Sequence, residues 1–291
     1  MYTRTPKVLY KILGRSMIQF PVDLARSLNC SEIVVVCGRN YKEIKKILGQ
    51  DVKYAIQEIP RGTGDAAKKG LTIATQPHIL ILYGDVPLLK KETIQEMIEN
   101  HFQNKADLSV LTCEMDEPSG YGRIVRDKNG NVAKIVEHID ATEKERGIKE
   151  INTGIYFGQK KLIAEALSRI NTDNKQKEFY LTDIVYNLIW AKKKVIGFKI
   201  EDPAQIMGIN TKLELARIRD IVKKRWFSEL MLNGVYIEDP NTTNIDLSVK
   251  IGKFVQIRPF TLIEGNTEIK DNTVIPPFTW IKNGKKRKFR I

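Results

Sequence analysis

Along the first two thirds of the chain, short unbroken apolar runs alternate with stretches in which apolar residues return every three or four positions. The run Ile33-Val34-Val35-Val36-Cys37 predicts a strand buried on both faces, and residues 41–48 follow with helical spacing. A strand over 52–57 and a helix over 64–74 repeat the alternation, which is the rhythm of a mostly parallel sheet. The next run, His-Ile-Leu-Ile-Leu-Tyr-Gly-Asp-Val-Pro-Leu-Leu from His78 to Leu89, stops at Tyr83-Gly84-Asp85 and leaves a carboxylate at a strand's carboxyl end. Ligands of open α/β sheets bind at such ends, and a carboxylate there can hold a divalent metal against phosphate oxygens. The plainer alternative is an N-cap for the helix expected over 92–104. A strand over 108–113, a hairpin turning at Asp127-Lys128-Asn129-Gly130, a strand over 151–157, helices over 161–170 and 180–191 and a strand over 195–200 complete this part.

The period then changes twice. A long helix starts near Asn210-Thr211, carries Leu213, Ile218, Val222, Trp226, Leu230 and Met231 along one face, and ends before Gly234. Beyond it Ile245, Ile251, Ile257, Ile263, Ile269, Ile275 and Ile281 recur every sixth residue, a hexapeptide repeat that predicts a short parallel β-helix of about two coils. The domain boundaries expected are 1–209 for the α/β domain, 210–234 for a linker helix, 235–284 for the repeat and 285–291 for a basic tail.

Composition narrows the class. Of 291 residues, 42% are hydrophobic and 29% charged, with no apolar run long enough to span a bilayer and no signal pattern, so a cytoplasmic protein with no membrane partner is expected. Three scattered cysteines, Cys30, Cys37 and Cys113, predict neither a disulfide framework nor a zinc site. The net charge of +13 is diffuse except in Lys285-Lys286-Arg287-Lys288-Phe289-Arg290. That tail lacks an aromatic platform and reads as solvated, so no nucleic-acid partner is expected.

Several other predicted strands end in compact polar signatures, and the ordered set resembles the uridylyltransferase half of the bacterial bifunctional N-acetylglucosamine-1-phosphate uridylyltransferases/glucosamine-1-phosphate acetyltransferases. The matching pieces are Pro6-Lys7-Val8-Leu9, Gln57 with Gly62-Thr63-Gly64, Leu82-Tyr83-Gly84-Asp85-Val86-Pro87-Leu88, Gly120-Tyr121-Gly122-Arg123-Ile124, Ile135-Val136-Glu137-His138, Glu150-Ile151-Asn152-Thr153-Gly154, Glu178-Phe179-Tyr180-Leu181-Thr182-Asp183 and Gly208-Ile209-Asn210. The resemblance implies a Rossmann-like mixed, mostly parallel sheet followed by a short left-handed parallel β-helix. It also implies roles. Lys7 and Asp85 would be catalytic; Lys7, Gln57, Gly62 and Thr63 would bind the nucleotide. Tyr83, Gly84, Gly122, Glu137, Asn152 and Thr182 would line the amino-sugar pocket, and Asp85 with Asn210 would hold Mg2+. Amides with close backbone approach suit a uracil edge, and a carboxylate with amides suits a sugar. Taken singly, several of these residues have plainer readings: Lys7 as a surface lysine, Asn210 as a helix N-cap, Glu137 as a partner of Lys134 across its hairpin.

The implied reaction joins UTP and N-acetylglucosamine 1-phosphate to give UDP-N-acetylglucosamine and pyrophosphate. In the family, Pro-Lys-Val-Leu follows a strand and a loop of the form Leu-Ala-Ala-Gly-x-Gly-Thr-Arg-Met, and Met1 falls on that last methionine. The strand, the glycine loop and its arginine are thus expected upstream of Met1, and the chain as written is expected to bind UTP poorly, to be impaired and to fold poorly. The repeat is too short for the family's acetyltransferase, so that activity is not expected. A homotrimer through the β-helix is the oligomer the resemblance suggests. The alternatives are another sugar-1-phosphate nucleotidylyltransferase and a catalytically silent UDP-sugar-binding protein.

Overall fold

The computed structural model describes residues 6–287, and the chain divides into two compact units. One is Pro21–Met207; the other joins residues 6–20 to residues 208–287.

The chain opens with a 3-10 turn at Lys7–Leu9 and a minimal antiparallel hairpin, β1 (Lys11–Ile12) and β2 (Arg15–Ser16), turned by Leu13 and Gly14 at positive φ. The helix α1 (Gln19–Ser27), which the apolar pattern does not mark, leads into the first large unit. There β3 (Val34–Cys37), α2 (Tyr41–Leu48), β4 (Lys53–Ile56), α3 (Thr63–Ile73) and β5 (His78–Ile81) follow the predicted alternation within a residue or two. Next come α4 (Lys91–Gln103), β6 (Leu108–Glu114), β7 (Arg123–Arg126), β8 (Val132–Val136), the short α5 (Glu143–Arg146), and β9 (Glu150–Gln159). The unit closes with α6 (Lys160–Leu167), α7 (Asp183–Trp190) and β10 (Val195–Ile200).

The main sheet is mixed, in the order β10-β6-β9-β7-β8, with β5 also against β9. Strands β5, β6, β7 and β10 point the same way, and the long β9 runs against them, so most hydrogen-bonded neighbours are antiparallel. Strands β3 and β4 form a separate parallel pair, and among the described residues β5 pairs with β9 alone. Alternation along β6 explains the two layers of helix: Leu108 and Val110 join α6 and α7 in one core, while Leu111 and Cys113 join Ile94 and Met97 of α4 in the other.

In the second unit, α8 (Lys212–Leu232) is capped by Thr211 and Glu214 in a reciprocal capping box, not by Asn210. Its buried face is Ile218, Val222, Phe227 and Leu230, whereas Leu213 and Met231, assigned to that face from sequence, are exposed. Successive steps of four drift off a 3.6-residue helix, and Phe227 restores the stripe.

Beyond α8 come β11 (Tyr236–Ile237), β12 (Asn244–Ile245), β13 (Lys250–Ile251), β14 (Gln256–Ile257), β15 (Leu262–Glu264), β16 (Glu268–Ile269), β17 (Val274–Ile275), β18 (Trp280–Lys282) and β19 (Lys285–Arg287). Each isoleucine pairs with the one three repeats later, Ile245 with Ile263, Ile251 with Ile269, Ile257 with Ile275 and Ile263 with Ile281. The chain therefore returns to the same line after three short strands, and all seven isoleucines share one core with Phe227 and Leu230. The corners use left-handed residues, Phe254, Phe260, Asn272 and Phe278, and the rings of Phe260 and Phe278 stack 4.9 Å apart. At the end, Lys285–Arg287 of the expected solvated tail instead pairs antiparallel with β18, although its side chains stay exposed; residues 288–291 lie outside the described residues.

Candidate active site

Strand β5 ends at Ile81, so Tyr83, Gly84 and Asp85 lie just past its carboxyl end, as the apolar run predicts. Asp85 is not a helix cap, because the N-cap position of α4 is Lys90.

The geometry around these residues is set by β9. Opposite β6, Tyr156 faces Val110 but Asn152 faces Thr112, so Thr153, Gly154 and Ile155 bulge against Leu111. The bulge is stitched from within. Thr153 Oγ1 donates to the Leu111 carbonyl at 2.8 Å, Ile155 N–H donates to Thr153 Oγ1 at 3.3 Å, and Gly154 N–H donates to Asn152 Oδ1 at 3.1 Å. Gly154 has φ +78, and a Cβ added there would sit 1.8 Å from Cε2 of Tyr83. The missing side chain is thus what lets the Tyr83 ring lie across β9.

On the neighbouring strand, the Gly122 carbonyl accepts from Asn152 N–H at 2.9 Å. A Cβ on Gly122 would lie 3.5 Å from Glu137 Oε2 and 3.6 Å from the Asn152 Cβ, so these three residues adjoin. Glu137 is not held by Lys134, whose ion pair goes to Glu145 at 2.8 Å. Instead it accepts from the hydroxyl of Thr182 at 3.0 Å. Thr182 stands at the N-cap position of α7 yet makes no capping bond, which leaves its hydroxyl for Glu137. Burial pushes the Glu137 carboxyl above the ordinary carboxylate range; the Thr182 hydrogen bond opposes this, and Asp183 and Asp140 add to it.

The loop from Gln57 to Gly64 is fixed by its own bonds. Gln57 Nε2 donates to the Gly62 carbonyl at 3.2 Å and to Asp65 at 2.7 Å. Gly62, at φ +109, has no room for a Cβ against the Phe179 carbonyl at 2.5 Å. Phe179 N–H donates to the Arg61 carbonyl, Gly64 N–H to the Phe179 carbonyl, and Leu181 N–H to Thr63 Oγ1 at 3.0 Å. The loop is thereby tied to the segment carrying Thr182. Burial raises the Tyr83 hydroxyl, Glu137 and Asp85 add to the shift, and hydrogen bonding with Thr63 works against it.

Within the first large unit, then, Gly122, Glu137, Asn152 and Thr182 come together, Tyr83 packs against the neighbouring Gly154, and Thr63 is tied to Leu181 beside Thr182. In the other unit Lys7 Nζ donates to Asn210 Oδ1 at 2.8 Å. Arg123, from the same signature as Gly122, is wholly buried and spends its guanidinium on the carbonyls of Tyr121 and Arg146, so it is structural. One contributor escapes detection in the sequence: Asp65, which accepts from Gln57, looks like an ordinary first-turn acid of α3.

A carboxylate just past a strand end, beside a loop tied by its own glycines, is where α/β sheets hold ligands, and the nucleotidyl transferase family model matches residues 2–204. The chain belongs to that family. Over nearly all of its length it is similar to the bifunctional protein GlmU: 43% identical to that of Fervidobacterium nodosum over 282 residues, 97% of this chain, and 41% identical to that of Thermosipho africanus over 286 residues, 98% of this chain. It spans 61% of the length of each of these relatives. Among solved structures, a UDP-glucose pyrophosphorylase complexed with UDP-glucose aligns at TM-score 0.63 and 17% identity, covering 76% of this chain and 91% of that one. A glucose-1-phosphate thymidylyltransferase from Bacillus anthracis, described as putative and complexed with a sucrose, aligns at TM-score 0.60 and 18% identity, covering 75% and 86%. At such identities the structures share the fold alone.

Proposed function

We propose that the chain is the uridylyltransferase part of a GlmU-type protein, a sugar-phosphate nucleotidyltransferase that makes UDP-N-acetylglucosamine and pyrophosphate from UTP and N-acetylglucosamine 1-phosphate. The observation that carries this reading is the convergence of Gly122, Glu137, Asn152 and Thr182 beside Tyr83. A carboxylate, an amide and hydroxyls around an open backbone position are the groups that recognise sugar hydroxyls and an acylamino substituent. The repeat with its threefold return is read as a short left-handed parallel β-helix, supported by the pairing of isoleucines three repeats apart.

In the reaction an anionic oxygen of the sugar phosphate attacks the α-phosphorus of UTP. A P–O bond forms as the bond to the β-phosphate breaks, and pyrophosphate leaves. The nucleophile is already ionised, so the protein's part is alignment and neutralisation of charge rather than covalent catalysis. Gln57, Gly62 and Thr63 would meet the uracil, Lys7 the nucleotide phosphates, and Tyr83, Gly84, Gly122, Glu137, Asn152 and Thr182 the sugar. Among the described residues no group of three or more His, Cys, Asp or Glu side chains could cage a metal. A strand-end carboxylate fits magnesium nonetheless, because that ion takes one or two carboxylates and otherwise phosphates and water. Asp85 would hold it, and it would supply Lewis-acid charge at the phosphates.

The test is formation of UDP-N-acetylglucosamine from the two substrates with and without Mg2+. Synthesis is expected only with the metal, and Asp85→Ala is expected to lose at least about a hundredfold in turnover, the scale of one lost electrostatic contact to a transition state. Near-normal turnover by that variant would sink the assignment of Asp85.

A further inference from the structure

Gln57 stands one residue past β4, and its backbone N–H still donates to the Cys37 carbonyl at 2.8 Å, so its main chain is held by the sheet. Its side-chain amide is held as well. Nε2 donates to the Gly62 carbonyl at 3.2 Å and to Asp65 Oδ2 at 2.7 Å, which uses both amide hydrogens. A carbonyl and a carboxylate only accept, so the amide has one orientation, with its nitrogen toward the loop and Oε1 turned from it. Oε1 has no hydrogen-bond partner among the described residues. The two anchors are unequal. The bond to Gly62 is long, and that carbonyl also accepts from Ala66 N–H at 3.2 Å, whereas the bond to Asp65 is short and charge-assisted. An acid in the first turn of α3 would ordinarily serve the helix N-terminus; Asp65 gives Oδ2 to Gln57 instead.

We propose that Asp65 is the positioning residue that makes this loop choose uracil over cytosine: by holding the Gln57 amide nitrogen, it leaves Gln57 only an acceptor to offer a base. The inference rests on the reading that Gln57 meets the nucleobase. In a uridine nucleotide N3–H is the one N–H of the ring, so a bond between uracil and Oε1 runs through that proton. Cytosine has a bare lone pair at N3, and the same geometry sets two acceptors against each other. Its exocyclic amino group lies one ring position away, where uracil carries an acceptor. An amide free to turn over would present Nε2 to cytosine N3, and the distinction would be lost. Asp65 itself does not touch the base; it acts through Gln57.

The experiment measures binding of UTP, CTP and dTTP with Mg2+ by calorimetry, together with thermal melts, for the chain and for Asp65→Ala and Gln57→Ala. The wild type is expected to prefer UTP to CTP, and Asp65→Ala to narrow that preference about tenfold, the scale of one net hydrogen bond. Asp65→Leu, which keeps the branched shape without the acceptor, is expected to narrow it equally. The ratio is the readout because UTP and CTP share ribose and triphosphate, so a lost charge or a weakened helix alters both alike. Since dTTP keeps the N3 proton, its ratio to UTP is expected to stay put. In the double variant Asp65→Ala with Gln57→Ala, the ratio of UTP to CTP is expected to match that of Gln57→Ala alone, because the aspartate works through that amide. A wild type without the preference, Asp65 variants that keep it, additive losses in the double variant, or dTTP parting from UTP would each overturn this inference. A Gln57→Ala variant that binds UTP as tightly as the wild type overturns, with it, the reading that Gln57 meets the base.

Discussion

Glu137 is the pocket carboxyl that burial holds against ionisation. It is largely withdrawn from water, faces Asp183 and Asp140, and has one hydroxyl donor, from Thr182, to set against them. Its carboxyl therefore holds a proton at pH values where an unfolded glutamate, at its ordinary 4.5, has lost it. The sign of the linkage follows. The folded chain binds the extra proton, so this contribution to stability is whole below pH 4.5 and is lost as pH rises through the elevated folded value. Glu137→Gln keeps the shape without the charge. Its urea midpoint is expected to gain on the wild type as pH rises from 4.5 toward neutrality, while its affinity for the sugar phosphate falls. Midpoints that run parallel across that range would show that the carboxyl does not titrate as argued.

At the scale of elements, the bulge in β9 turns an ordinary strand into a site. Without its extra residues Asn152 would keep the regular alternation of the strand, and the Tyr83 ring would meet a side chain in place of the Gly154 backbone. Gly154 fills this place because φ +78 and a ring 1.8 Å from any Cβ both exclude a side chain. Gly154→Ala is expected to cost at least about 2 kcal/mol, from left-handed strain together with the displaced ring. It is also expected to weaken sugar phosphate binding more than UTP binding, and chemical denaturation with calorimetry reads both. A stability loss with unchanged sugar binding would show that the Tyr83 seat is structural only.

For the molecule as a whole, the two units owe their stability to different patterns. The Pro21–Met207 unit has two cores separated by a sheet, and the loss of one contact is shared over many neighbours. The repeat has one narrow core in which each coil rests on the next. Ile257, with no exposed surface, sits between Ile237 below and Ile275 above. Ile257→Ala is expected to cost about 2–5 kcal/mol and to loosen both neighbouring coils together. Hydrogen exchange would show faster amides in β11 and β17 with β6 and β9 unchanged; exchange confined to residue 257 would mean the coils are not coupled.

Periodicity alone determined where most strands and helices of the α/β unit lie, α1 and α5 excepted, and that seven isoleucines recur at one spacing, because backbone geometry repeats at fixed intervals of two, 3.6 and six residues. The strand-end place of Tyr83-Gly84-Asp85 was legible because a Gly-Asp pair interrupts the apolar run where the strand ends. The signatures around Gly122, Glu137, Asn152 and Thr182 could be picked out in order, but their convergence could not, since it depends on which strands neighbour which. Tertiary structure alone decided that Glu137 turns to Thr182 and not to Lys134, and that Arg123 serves the fold. It also decided that Phe227, not Met231, faces the core, and that residues 6–20 belong with residues 208–287. Each of these depends on contacts between residues distant in the chain, or on a one-residue shift of register, and neither leaves a local period. Gly154 is the clearest case. In the sequence it is one glycine in an apolar strand, and only the packed bulge sets its backbone against the Tyr83 ring.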